Sequence, residues 1–210
     1  MEKVAIISII YNELAWADTE RCIDKCDCPK FFVNRHGVGS LAKAINAGFR
    51  QWGAGFEFLW FVTNVTFSET CLQHLVRQME MDSWSGLTPC FESDHLFCRP
   101  DPKKAGSWEV PFIEFTAPII RASVFKDHPL DENMPYWGHD LDWGHRIRQA
   151  GHKVGCFYGE QLGHSYIRNT EGDKWTKARY AKRKATNHST RAALIKKYGP
   201  DWRKVLKWQG

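Results

Sequence analysis

Two carboxylates, Asp140 and Asp142, stand at the start of a predicted helix, in the run His139-Asp140-Leu141-Asp142. The helix covers residues 143–150, and Gly151 is the kind of residue that ends one. Carboxylates in a first turn face the positive end of the helix dipole and its unpaired amide groups. One interpretation therefore makes Asp140 an N-cap and Asp142 a favourable charge. A positioned carboxylate can also accept a proton during a reaction. The elements next to the two carboxylates are therefore needed to distinguish a structural role from a catalytic one.

The elements that would position these carboxylates follow one another along the chain. An apolar run at residues 116–120 leads into a polar turn at residues 126–132. An aromatic-glycine corner, Tyr136-Trp137-Gly138, then precedes the helix. After the helix come an apolar, strand-like run at residues 153–158 and the pair Gly163-His164. The carboxylates therefore lie at a corner between a strand and a helix.

The order of this stretch resembles the second half of the family 2 inverting glycosyltransferases of the GT-A fold. The matching features are an Asp-Glu pair, a carboxylate-bearing helix start, an Arg-rich helix that ends in Ala-Gly, and a closing His: Asp131, Glu132, Asp140, Asp142, Arg146, Arg148, Ala150, Gly151 and His164. In the family, the Asp of a Glu-Asp pair is the general base for the acceptor hydroxyl, so the resemblance assigns that role to Asp140. His139 stands where the family has Glu, which indicates an unusual acceptor side.

The resemblance implies that the acceptor binds beside the same corner, with contacts from Trp137, Gly138 and His139. The polar stretch at residues 91–110 is long for a connection without structure of its own. It corresponds to a region that helps form the acceptor side in the family. Trp108 in this stretch is a candidate stacking platform, and packing in the core is the alternative.

The first strand and the turn after it predict one part of a donor site. Residues 3–10 form an almost uninterrupted apolar run, which is typical of a strand buried on both faces in a parallel sheet. The run ends at Tyr11-Asn12-Glu13, before a helix-like segment. Loops at such strand ends bind ligands in open α/β sheets. The family's Tyr-Asn at this point lines the nucleotide pocket, so the resemblance implies donor contacts from Tyr11, Asn12 and Glu13. A plain turn is the alternative.

A second strand, at residues 31–33, is followed by a Gly-x-Gly pattern and a predicted helix at residues 41–52. Glycines before a helix allow close approach of the backbone, and a helix N-terminus favours a phosphate group. The helix resembles the family's segment in the order of its Ala, Asn and Gly. Further donor contacts are therefore expected from Arg35, His36, Gly37, Lys43, Asn46, Asn64 and Arg168.

A metal site is expected after the third strand, at residues 56–62, because the family carries an Asp-containing metal motif there. This chain has Thr63-Asn64-Val65-Thr66 instead, and neutral oxygens bind hard cations weakly. Three interpretations remain open. Asp142 and His164 hold Mn²⁺ or Mg²⁺, or cationic side chains neutralise the donor diphosphate, or donor transfer has been lost.

Length and composition predict one domain of 210 residues. The order of the predicted elements and the resemblance imply a GT-A-like α/β architecture, in which a mostly parallel central sheet is flanked by helices. Residues 1–166 form the catalytic domain. Residues 167–210 form a flexible lid and a basic helical extension that packs on the same domain. Residues 168–210 hold thirteen Lys and Arg against three acidic residues, although the whole chain carries a net charge of only +5. This tail is suited to phosphate backbones, to an anionic membrane surface or simply to water.

Several function classes are disfavoured. The longest apolar run, residues 56–65, is too short to cross a bilayer, and no cleavage site for a signal peptide follows the N-terminal apolar stretch. Seven Cys without paired metal-binding spacing predict reduced thiols and a cytoplasmic location. A soft-metal site at Cys22, Cys26 and Cys28 is the alternative.

The predicted function is transfer of a sugar from a nucleotide sugar to an acceptor hydroxyl with inversion. The acceptor is a glycan or cell-envelope component, or hydroxymethylated bases in DNA reached through the basic tail. The alternative is a non-catalytic protein on the same scaffold that binds nucleic acid or sugar nucleotides.

Overall fold

The computed structural model describes residues 2–10, 13–34, 40–91, 106–134, 137–164 and 177–207. The strands of these residues are β1 (Val4–Ile10), β2 (Lys30–Asn34), β3 (Phe58–Val62), β4 (Val65–Thr66), β5 (Gly86–Phe91), β6 (Ser107–Glu109), β7 (Ile119–Arg121) and β8 (Val154–His164). The helices are α1 (Glu13–Asp24), α2 (Leu41–Trp52), α3 (Cys71–Met81), α4 (Ala122–Asp127), α5 (His139–Gln149), α6 (Lys177–Tyr198) and α7 (Trp202–Val205).

The strands form one sheet in the order β2-β1-β3-β7-β5-β8-β4, with β6 paired to β8. Pairing is parallel between β2 and β1, between β1 and β3, and between β5 and β8. The other pairs, which involve β4, β6 and β7, are antiparallel. The predicted α/β domain with a central sheet flanked by helices is confirmed, and the sheet is mixed because β7 runs antiparallel between β3 and β5.

The parallel strands β1 and β3 form the centre of the core, as their unbroken apolar sequences predict. Every residue of β3 is buried, and so is all of β1 except its last residue. Ser8 is the polar exception in β1, and its hydroxyl donates a hydrogen bond to the carbonyl of Val62 at 2.9 Å. In the register of the three strands, Ser8 lies beside Val62 and Ile10 beside Asn34. Strands β1, β2 and β3 therefore end at the same edge of the sheet.

The predicted strand at residues 116–120 is shorter than expected and differs in position. Strand β7 begins at Ile119, after Pro118, which has no amide hydrogen to donate to a ladder. The chain before it still follows β3, because the amide of Phe61 donates to the carbonyl of Pro118 at 3.0 Å. The polar turn predicted at residues 126–132 begins inside α4.

The basic helical extension expected within residues 167–210 contains α6, at Lys177–Tyr198. Helices α6 and α7 contribute to a second, smaller apolar cluster that also includes residues on and before α5. Its buried members are Phe112, Met134, Leu141, Leu194, Trp202 and Leu206. The indole of Trp202 lies 6.3 Å from that of Trp137, between ring centroids. The C-terminal helices therefore pack against the corner that carries Asp140. No helix among the described residues has the length and apolar character to span a membrane.

Gly144 allows α5 to pack closely against the segment that precedes it along the chain. A Cβ at this position would lie 2.6 Å from Cβ of Phe112 and 2.8 Å from the carbonyl oxygen of Pro111. We therefore expect Gly144→Ala to lower the free energy of unfolding by about 1–3 kcal/mol through overpacking, as measured by urea denaturation. The control is Gly55→Ala, where a Cβ would meet no atom within 4 Å. Equal stabilities of the two variants would contradict this packing.

Candidate functional site

The chain bends sharply where β3 ends, and the bend is held by neighbouring elements. The amide and the hydroxyl of Thr63 both donate to the carbonyl of Thr116, at 2.9 and 3.0 Å. The amide of Val65 donates to the hydroxyl of Thr19 at 3.0 Å. Val65 pairs with His164 across β4 and β8. The structure therefore brings together Asn64 and the backbone of His164, two predicted site residues that are far apart in sequence.

Asn64 is the residue of this bend with an unexplained polar group. Its side chain is 3% exposed, and its Oδ1 atom has no hydrogen-bond donor among the residues that the structure describes. A buried carbonyl oxygen without a donor costs free energy. Buried polar groups are nearly always paired, and an exception calls for a reason. A ligand that donates a hydrogen bond would supply one.

The start of α5 lies near this bend. Phe115, next to Thr116, contacts the imidazole of His139 with 6.1 Å between ring centroids. Gly138 is the N-cap of α5 and has φ 94°, in the left-handed region that favours glycine. The cap interpretation of Asp140 is therefore wrong, because Gly138 holds that position and Asp140 is the second residue of the helix.

The carboxylate of Asp140 is anchored by one oxygen only. Its Oδ1 accepts hydrogen bonds from the amides of Gly138 at 3.2 Å and Leu141 at 3.0 Å. Its Oδ2 has no hydrogen bond to any described residue, and the side chain is half-buried. This arrangement fixes the direction of the carboxylate and leaves one oxygen to accept a proton from another molecule.

Asp142 is completely buried, and its hydrogen bonds and ion pairs join α5 to α6. Its Oδ2 accepts from Nε of Arg146 at 2.8 Å, and its Oδ1 lies 2.6 Å from Nζ of Lys197. The hydroxyl of Tyr198 also donates to Oδ1. Burial and this hydrogen bond to Asp142 raise the pKa of Tyr198. The predicted metal-ligand role does not fit Asp142, because both of its oxygens are already engaged by three donors.

A divalent cation does not fit the described side chains. No group of three His, Cys, Asp or Glu side chains in the described part of the chain is placed to hold a metal ion. The same finding disfavours the soft-metal alternative for Cys22, Cys26 and Cys28. Burial is the main cause that raises the pKa of Cys26 to about 11, and the charge of Cys28 adds to the effect. The Cys26 thiol is therefore protonated at neutral pH.

Asn46 was expected to contact the donor, but its hydrogen bonds all go to the turn before α5. Its Nδ2 donates to the carbonyl of Leu130 at 2.9 Å and to the carboxylate of Glu132 at 3.0 Å. Its Oδ1 accepts from the amide of Leu130 at 3.1 Å. The resemblance singled out both ends of this contact, Asn46 and the Asp-Glu pair, but their pairing to each other could not be read from the sequence. Asn46 therefore fixes the turn, and its contact with the donor stays a prediction.

Three of the four predicted acceptor-side residues, Trp137, Gly138 and His139, lie between the core and α6. Trp137 donates from Nε1 to Oδ1 of Asn187 at 2.8 Å, and Gly138 is buried against Thr190. His139 is buried against Phe115. Trp108 is half-buried on β6 and packs against the main core, which agrees with the packing alternative. Its stacking role stays a prediction.

The remaining predicted donor contacts are only partly described. Lys43 is exposed in the first turn of α2, where its backbone amide donates to the hydroxyl of Ser40 at 3.3 Å. Glu13 is the first residue of α1. The other predicted contacts lie outside the described residues: Tyr11, Asn12, Arg35, His36, Gly37 and Arg168.

Comparison with protein-family models found no match, and comparison with curated proteins found none either. Solved structures do match. A crystal structure of GalNAc-T7 with UDP, GalNAc and Mn²⁺ superimposes with a TM-score of 0.57 at 13% identity, covering 97% of this chain and 54% of that chain. S. aureus TarS 1-349 in complex with UDP-GlcNAc gives 0.60 at 12% identity, covering 97% and 70%. TarS 1-349 alone gives 0.55 at 14% identity, covering 77% and 60%.

These neighbours are glycosyltransferases, and the likeness establishes a GT-A-like fold for this chain. The predicted fold class is therefore confirmed. The chain spans about half the length of the GalNAc-T7 structure that it matches. At this level of identity, the comparison supports the fold alone, and the chemistry has to be argued from the residues of the site.

Proposed function

We propose that this protein is a glycosyltransferase that moves a sugar from a nucleotide-sugar donor to an acceptor hydroxyl with inversion. One observation carries the proposal. The buried Oδ1 of Asn64, which has no donor within the described part of the chain, lies at the edge where β1, β2 and β3 end, close to the start of the helix that bears Asp140. Ligands of open α/β sheets bind at such edges. The fold supports the same conclusion, since structures of its neighbours contain UDP or UDP-GlcNAc.

In this proposal Asp140 is the general base. Its Oδ2 takes the proton of the acceptor hydroxyl, while Oδ1 stays bound to the amides of Gly138 and Leu141. The acceptor oxygen attacks the anomeric carbon of the donor, and the bond from that carbon to the diphosphate breaks in the same displacement. A single displacement inverts the configuration at the anomeric carbon. A positioned base of this kind contributes about 10²–10⁴-fold to the rate.

The leaving diphosphate needs positive charge, which stabilises the transition state. The GalNAc-T7 structure contains Mn²⁺, but the described residues of this chain do not fit a metal ion. We propose that cationic side chains neutralise the diphosphate instead. The candidates are the predicted donor contacts Arg35, Lys43 and Arg168.

Replacement of Asn64 tests the observation that carries the proposal. We expect Asn64→Leu to weaken binding of the donor by about fivefold, because a hydrogen bond to a ligand contributes roughly 1 kcal/mol. We expect the free energy of unfolding to stay the same or rise, since a buried oxygen without a donor is removed. The measurements are calorimetric titration with UDP-GlcNAc and other sugar nucleotides, and urea denaturation.

The control for this prediction is Gln73→Leu, which removes an exposed side-chain amide on α3. It should change neither donor affinity nor stability. A loss of stability in Asn64→Leu with unchanged donor affinity would show that the side chain serves the fold alone, and would contradict its place in a donor site.

The described end of the tail favours an acceptor that carries phosphate groups. Basic side chains are exposed there, with Asp201 as the only acidic residue between 187 and 207: Arg191, Arg203, Lys204 and Lys207. Hydroxymethylated DNA has this chemistry, as do phosphate-bearing cell-envelope polymers. We propose acceptor binding that weakens steeply as salt increases, in contrast to binding of a neutral glycan. Salt-independent binding would exclude the nucleic-acid acceptor.

The second candidate is a binding protein without catalysis. The observation that favours it is the neutral side chain of Asn64, at the position where the resembling family carries a carboxylate. A binding protein would hold a sugar nucleotide intact, so the two candidates differ in whether free nucleotide appears.

A further inference from the structure

Helix α6 touches the chain on both sides of Asp140. On the side before it, Asn187 accepts the hydrogen bond from Trp137, and Thr190 packs against Gly138. On the side after it, Lys197 and Tyr198 contact Asp142. A basic surface helix with no other role would not need these contacts.

The contacting residues occupy one face of the helix. Asn187, Thr190 and Leu194 follow one another at intervals of three and four residues, and Lys197 and Tyr198 lie three and four residues after Leu194, which places all five on one face of an α-helix. We call these residues the α6 clamp. Thr190 and Leu194 are completely buried. The middle of the clamp is therefore packed, whereas the side chain of Lys197 at its end is 34% exposed.

The charged end of the clamp joins three segments. Nζ of Lys197 lies 2.6 Å from Asp142 and 2.6 Å from Asp131. Asp131 belongs to the turn that Asn46 fixes from α2. Burial opposes the charge of Lys197, but the hydrogen bonds to Asp131 and Asp142 raise the pKa of this lysine overall. The turn before α5, the first turn of α5 and the end of α6 are therefore bound to one another.

The first turn of α5 is held by apolar contacts of His139 and Leu141, and Asp142 adds a charged attachment to them. Gly138 makes no side-chain cap, and Asp140 bonds only to amides of its own turn. Asp142, two residues later, lies on the opposite side of the helix and is the point where α6 holds that turn. Displacement of a catalytic base by about 1 Å can lower the reaction rate by about 10²-fold. A rigid attachment of the first turn of α5 therefore serves the proposed reaction.

We infer that the α6 clamp positions Asp140, with Lys197 and Tyr198 as positioning residues that act through Asp142. This inference rests on the proposed function, because it concerns the base of that reaction. It assigns to the C-terminal helix a role in the reaction itself, separate from any contact with the acceptor.

Two adjacent lysines provide the test. Lys197→Met removes the bridge between Asp131 and Asp142, and Lys196→Met removes an exposed neighbour for which no ion pair is present among the described residues. Lys197→Met leaves Asp142 paired with Arg146 and Tyr198, so the protein should fold. Tyr198→Phe is the second variant, since it removes only the hydroxyl that donates to Asp142.

We expect Lys197→Met and Tyr198→Phe to lower kcat for transfer by about 10–100-fold, with donor affinity within about twofold of the wild type. Transfer to the acceptor should fall more than hydrolysis of the donor by water. Lys196→Met should match the wild type. Hydrogen–deuterium exchange gives a readout that needs no activity: peptides covering residues 137–143 should exchange faster in Lys197→Met, while those from β1 and β3 should not change.

Unchanged exchange at residues 137–143 in both variants would overturn the clamp. Faster exchange with an unchanged kcat would overturn its positioning role. A wild type without transfer activity would overturn the proposed function and, with that function, the positioning role of the clamp. In that case the exchange data would still show whether α6 holds the first turn of α5.

Discussion

Asp140→Asn is expected to lower kcat for sugar transfer by about 10²–10⁴-fold, because the amide cannot accept the proton of the acceptor hydroxyl. Donor affinity should be unchanged. The carbonyl oxygen of the new side chain can still accept the hydrogen bonds from Gly138 and Leu141, so the helix start should keep its geometry. Steady-state kinetics with varied donor and acceptor would separate kcat from the two KM values.

Asp127→Asn is the matched control, since Asp127 is an exposed aspartate at the end of α4. It should keep the activity of the wild type. Equal activities of Asp140→Asn and the wild type would remove Asp140 as the base. Loss of donor binding in Asp140→Asn would instead place this carboxylate on the donor side of the site.

Asp142→Ala is expected to lower the free energy of unfolding by about 3–5 kcal/mol, which is the usual cost of breaking a buried ion pair from one side. The variant leaves Arg146 without its carboxylate, and Tyr198 without its acceptor. Lys197 keeps only Asp131. Urea denaturation of the variant and the wild type would give the difference.

Asp142→Asn should cost clearly less than Asp142→Ala, because the amide keeps an oxygen that can accept from Tyr198 or Lys197. Asp127→Ala should stay within about 0.5 kcal/mol of the wild type, as surface substitutions usually do. A small loss for Asp142→Ala would mean that α6 is held mainly by its apolar contacts, and would weaken the case for the clamp.

The parts of the fold that local pattern encodes were predictable. The almost uninterrupted apolar runs of β1 and β3 indicated strands buried on both faces, and both are buried interior strands of the sheet. Gly151 marked the end of α5 to within two residues. The antiparallel insertion of β7 between β3 and β5 was not predictable, because strand order depends on long-range pairing that an apolar run of three to five residues does not specify.

The structure places Asn64, the backbone of His164 and the start of α5 near one another, as expected from strand ends and a helix start, and the roles of these residues stay predictions. The structural role of Asp142 was missed, although helix geometry indicates it. Residues two positions apart point about 200° away from each other around a helix, so only one of the two carboxylates can face a site while the other faces the packed side. Two of the three partners of Asp142 come from α6, which is more than fifty residues away, and the basic composition of α6 suggested a solvated surface.

The most direct test of the account is nucleotide release by the wild type from a panel of sugar nucleotides, with Asp140→Asn in parallel. Each reaction is supplied with glycan and hydroxymethylated DNA acceptors and is run with Mn²⁺ and with EDTA. We predict donor-selective release of nucleotide that persists in EDTA and is lost in Asp140→Asn. Absence of release from every donor, under every condition, would contradict a glycosyltransferase and leave a protein that binds its ligand without cleaving it.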